Sequence, residues 1–213
     1  NDSFLLESMH KKKGQNFLND YVAYTINSTK CLGLKVINAG GAEFFKKGGE
    51  IFNLDDVVPS YGVTSRDILT SLNKANEELK IKHPLHVHCN NLGVPGNIKT
   101  ILETIKTAEG RRMHLAHVQF YGYDNKWKKG FSSGSVDLAD AVNKNKNITV
   151  DVGQVMFKPT LTISSDVLRQ FGARNNANPK KWIINEVEDG GGGIIPYEYK
   201  KKNFVNSLQW LIG

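Results

Sequence analysis

The 213-residue sequence predicts an α/β fold, read as the middle of a closed β/α barrel. Three observations lead there. Strand-like apolar runs alternate with amphipathic, helix-like stretches, the signature of βαβ units and a parallel sheet. The pattern opens and closes on helices, and a free-standing parallel sheet of four strands would leave its edges uncovered. Finally, one strand ends in His86-Val87-His88 and runs into Asn90-Asn91 and a Gly/Pro-punctuated turn, the place where α/β folds build sites.

Asn16 to Thr29 reads as the first helix, with Phe17, Leu18, Tyr21, Val22 and Ile26 on one stripe. Leu32 to Asn38 follows as the first strand. Ser65 to Lys80 is a helix, with Thr64 or Ser65 as N-cap and Ile68, Leu69, Leu72, Ala75 and Leu79 at helical spacing. Pro84 to His88 is the second strand. Gly96 to Ala108 is a helix carrying Ile98, Ile101, Leu102 and Ile105, closed by Gly110. Met113 to Phe120 is the third strand and Ile148 to Phe157 the fourth. Between them Val136, Leu138, Ala139, Ala141 and Val142 mark another helix, and Asn203 to Ile212 reads as the last. The only low-complexity tract is Gly190 to Gly193.

Apolar content of 39% and charged content of 23% describe an ordinary globular chain. No apolar run approaches a membrane span and no signal-peptide pattern opens the chain, so no membrane partner is expected. Cys31 and Cys89 make neither a disulfide framework nor a thiolate metal site, which points to a reducing, cytoplasmic setting. The net charge of +7 comes from short scattered clusters such as Lys11-Lys12-Lys13 and Lys200-Lys201-Lys202. These read as solvated surface rather than a nucleic-acid footprint, and no nucleic-acid partner is expected. The same charge suits anionic substrates or acidic partner subunits.

Lys35 sits in an apolar strand, where burial lowers an amine's pKa. It reads as a base, a Schiff-base former or a lysine that takes up carbon dioxide as a carbamate; the competing reading is an edge lysine reaching water. His86 and His88 share a strand face and suit a divalent metal, an anion, or a hydrogen-bonded polar rim. His114 and His117 stand three apart, so a regular strand sends them to opposite faces. His117, beside Gln119 and Tyr121, is expected inside the barrel and His114 among the surrounding helices. Asp151 is a ligand, a base or an ion-paired structural carboxylate. Taken together, Lys35, His88 and His117 on three successive strands suit two bridged cations that activate water for attack on a carbonyl.

These residues resemble a known family: the A-type subunit of formylmethanofuran dehydrogenase and its counterpart in the bacterial formyltransferase/hydrolase complex. The resemblance rests on Gly33 to Asn38 with Gly40-Gly41, on His86 through Asn97, and on His117-Val118-Gln119-Phe120. Val150 to Val155, Gly193 to Tyr197 and Gln209 to Gly213 extend it over essentially the whole chain. The resemblance implies an amidohydrolase-superfamily (β/α)8 TIM-type barrel, of which residues 1–213 form about strands 4 to 7. The first strands and the eighth are expected outside this span. It implies a dinuclear divalent-metal centre, zinc being the expected ion, with Lys35 carboxylated and bridging and with His88 and His117 as ligands. It further implies a methanofuran-type formyl carrier as substrate and other subunits of such a complex as partners.

The implied reaction interconverts N-formylmethanofuran plus water with formate plus methanofuran. His86, Asn90, Asn91 and Gln119 are the expected substrate contacts. The general base, an aspartate, is expected after Gly213, so this span alone is expected to be inactive. The alternative reading is a catalytically silent barrel segment serving as scaffold or interaction domain.

Overall fold

The computed structural model describes residues 3–46, 51–92, 94, 96–126 and 132–152, and three strand segments at 160–164, 185–188 and 192–196. The expected helix at 203–212 and most of the fourth strand beyond residue 152 lie outside the described residues.

Four parallel strands form the central sheet: β1 (Lys35–Ile37), β2 (Leu85–His88), β3 (Met113–Leu115) and β6 (Ile148–Val150), in that spatial order. The two-residue side-chain period decides what each face holds. Val36, Leu85, Val87, Met113, Leu115 and Ile148 all turn to one side and are buried. They pack in one cluster with Leu18 and Val22 of helix α2 (Gln15–Thr29), Ile68, Leu69, Leu72 and Ala75 of α4 (Ser65–Glu78), and Ile101 and Ile105 of α5 (Ile98–Thr107). The intervening residues carry the polar groups to the other face.

Helix α4 begins where a capping box sets it. The Thr64 hydroxyl accepts from the Asp67 N–H at 3.1 Å, and the Asp67 carboxylate accepts from the Thr64 N–H at 2.9 Å. Helix α6 (Ser135–Lys144) lies beside α5 and leads into β6.

Several elements go beyond what periodicity predicts. Helix α1 (Ser3–His10) packs Leu5 and Leu6 into the core, and α3 (Gly41–Lys46) follows β1 closely. The turn before α3 needs a glycine: Gly40 has φ of 77°, and a Cβ there would meet Val58 Cγ2 at 2.2 Å. A short antiparallel ribbon joins β4 (Tyr123–Asp124) to β5 (Ser132–Ser133). Strands β7 (Thr160–Ser164), β8 (Asn185–Glu188) and β9 (Gly192–Pro196) form a separate antiparallel sheet in the order β7-β9-β8. No helix among the described residues is long and apolar enough to cross a membrane.

Candidate functional site

In-register pairing of the parallel strands aligns Lys35 with His86, His86 with His114, and His114 with Thr149, while Ile37 stands beside His88. One row of polar side chains therefore crosses the sheet on the face opposite the core. The rings of His86 and His88 lie 5.2 Å apart and those of His86 and His114 4.9 Å apart.

His114 corrects an expectation. It shares this face rather than pointing among the helices: Nδ1 lies 2.9 Å from the Thr149 hydroxyl and Nε2 lies 3.0 Å from Asp151 Oδ2. The parity argument fails because β3 stops at Leu115. At His117 the backbone takes a left-handed conformation, φ 37°, before a 3-10 turn over Val118–Phe120. Alternation no longer applies, and both histidines reach the same face.

That turn brings His117 Nε2 to within 2.6 Å of His88 Nδ1, so one nitrogen donates and the other accepts. His117 stacks on Tyr121 with centroids 5.6 Å apart, and its Nδ1 is buried without a partner. Burial, then the charges of His117, Lys35 and His86, push the His88 imidazole down to about 4. Burial also lowers His86 and His117, with the charge of Lys35 adding to both. All three imidazoles are neutral near pH 7, the state that ligates metal. Burial raises the Asp151 carboxyl, but the His117 N–H and the His114 ring outweigh it and hold the group below the usual carboxylate range. Lys35 is exposed beside these rings.

The other expected contacts fall differently. Asn90 and Asn91 are buried, with their amides directed into the chain. Asn90 Nδ2 donates to the Ser65 hydroxyl at 2.7 Å. Asn91 accepts from the Phe52 N–H at 2.9 Å and donates to Thr100 at 3.0 Å. Asn97, which no sequence signal singles out, binds the Asn91 and Phe120 carbonyls at 2.9 and 2.8 Å and accepts from the Tyr123 N–H at 2.9 Å. It thereby ties the loop after His88 to the turn after His117. Gln119 is buried, two residues beyond His117 in the chain. Cys89 is buried on the core side, its thiol pushed up to about 12 by burial, and Cys31 is exposed and free.

As a cation site the donor set fits in kind: neutral imidazole nitrogens, one of them buried and unpartnered, beside a lysine. Among the described residues no group of three or more His, Cys, Asp or Glu side chains has metal-binding geometry.

No protein-family model matches the chain. It is 46% identical over 218 aligned positions to the A-type subunit of the formyltransferase/hydrolase complex Fhc of Methylorubrum extorquens, covering 100% of this chain and 40% of the relative. Protein FwdA of Methanocaldococcus jannaschii is 36% identical over 205 positions, covering 91% of this chain and 36% of the relative. The chain thus spans less than half the length of these relatives. The crystal structure of the FhcABCD formyltransferase/hydrolase complex of Methylorubrum extorquens, with methylofuran bound, contains a similar chain. It matches at a TM-score of 0.77 and 44% identity, covering 100% of this chain and 39% of that one. Over this span, the chain belongs to the family formed by the A-type subunit of the formyltransferase/hydrolase complex and FwdA.

Proposed function

We propose that this chain forms part of the hydrolytic centre of a formylmethanofuran-type complex, in which N-formylmethanofuran and water interconvert with formate and methanofuran. The observation that carries the reading is the convergence of two neutral imidazoles, His88 and His117, on the open face of a parallel sheet beside Lys35. The relative's crystal structure holds methylofuran, a carrier of the chemistry this site would act on.

In this reading the neutral amine of Lys35 reacts with carbon dioxide, forming an N–C bond and releasing one proton, and the carbamate presents two oxygens that share one negative charge. A divalent cation bound there, zinc being the expected ion, supplies Lewis-acid polarisation of a carbonyl and acidification of water. His88 and His117 offer it neutral nitrogens because burial keeps their protons off. In this reading His86, on the open face, contacts the formyl carrier, and the same role is assigned to Gln119. Asn90 and Asn91 serve indirectly, since their inward hydrogen bonds fix the loop that follows His88. The donor of a proton to the departing amine is assigned to an aspartate of the longer subunit, which would take that proton from the attacking water.

The open sheet face also supports a barrel. Ile37 on that face is 57% exposed, whereas parallel sheets in α/β folds are covered on both sides. Closing the sheet on itself turns this face inward and puts the histidines at a barrel's functional end. The other subunits of such a complex are the proposed partners.

Substituting Lys35→Ala in the full-length subunit is expected to remove bound metal and N-formyl hydrolysis together, as read by metal analysis and formate release. Stoichiometric metal with undiminished activity in that variant refutes the bridging role. A full-length wild-type subunit that binds no metal leaves the silent-scaffold reading instead.

A further inference from the structure

We propose that Asp151 is a positioning residue for the His88–His117 pair: its carboxylate holds the left-handed turn that carries His117 out of the alternation of β3 and onto His88. What the pair does rests on the function proposed above; the contact itself does not.

A non-glycine residue in the left-handed region persists only where its surroundings fix it. Three hydrogen bonds fix this turn to the end of β6. The His117 N–H donates to Asp151 Oδ1 at 2.7 Å, the Val118 N–H to the Asp151 carbonyl at 3.0 Å, and the Asp151 N–H to the Leu115 carbonyl at 3.1 Å. Two of these are backbone bonds available to any residue at 151. Only the first needs a side-chain acceptor, and it falls on the residue with the unusual φ.

The carboxylate is itself aimed. Its second oxygen meets His114 Nε2 at 3.0 Å, and His114 is held at its other nitrogen by Thr149, 2.9 Å away. With Nε2–H donating to the carboxylate, Nδ1 accepts from the Thr149 hydroxyl, so both groups are satisfied. His114 thus buttresses the carboxylate that orients His117. Without the acceptor, the His117 amide is free to relax toward extended backbone, where a residue three beyond His114 points to the opposite face.

The test is a hydrogen-bond-mediated 15N–15N coupling between His88 Nδ1 and His117 Nε2, measured on the metal-free chain with labelled histidine. The wild type is expected to show it. Asp151→Ala and the isosteric Asp151→Leu are expected to lose it, while Asp151→Asn, whose amide oxygen still accepts from the His117 N–H, keeps it. The Asp151 side chain is half exposed, so these variants retain the sheet. A purely structural role lowers the melting temperature without touching the coupling. Coupling retained in folded D151A and D151L, or lost in D151N, overturns the proposal. Zinc titration of the wild-type chain is scored apart: no affinity alongside an intact coupling counts against the metal centre alone.

Discussion

Burial and three neighbouring charges leave His88 unprotonated through the pH range where a free histidine, near 6.5, takes up a proton. In the metal-free chain the unfolded state therefore binds more protons than the folded state between about pH 6.5 and 4. Stability is full above that window and falls as pH drops through it. Thermal melts across that range should show the decline, and His88→Asn should flatten it; an unchanged slope in the variant would falsify the assignment. The shared face of His86 and His88 was legible in the sequence because strand alternation alone sets it, whereas Lys35 joins them through the register of β1 on β2. The inward role of Asn90 and Asn91 was not legible. A carboxamide after a strand is equally suited to grip a ligand or a backbone, and only the buried Phe52 segment across from them decides which.

The helices that sequence periodicity locates are those with a long apolar stripe, and in α4 a side-chain cap reinforces it. Thr64 and Asp67 illustrate this: Thr64→Ala is expected to cost about 1 kcal/mol, read as a lower urea midpoint with an unchanged slope. Asp67→Ala should lose a similar amount, because the same reciprocal pair is broken. Helix α3 and the two-residue strands β4 and β5 carry too little periodicity to stand out, and their existence depends on contacts made elsewhere. Strand β3 is shorter than its sequence predicts for a related reason. Met113 to Phe120 is apolar enough to be a strand throughout, but the left-handed backbone at His117 ends it after Leu115. That early end, invisible in composition, is what lets His117 join His114 on the site face.

At the scale of the whole molecule, alternation along the strands foresaw the shared face of His86 and His88 but put His114 on the wrong side of the sheet. Its order β1-β2-β3-β6 follows the chain order of the strands that periodicity predicts. The link between the site's two loops was not foreseeable, since it runs through Asn97, the N-cap residue of α5, whose amide reaches across to Phe120 and Tyr123. That amide has a dynamic consequence. The Tyr123 N–H and the Phe52 N–H are far apart in sequence, yet both are protected by carboxamides of one buried chain of asparagines. They should exchange with deuterium at matching rates, as members of one cooperative opening unit. Asn97→Ala should quicken both by a common factor, and acceleration of Tyr123 alone would show that the two loops breathe independently.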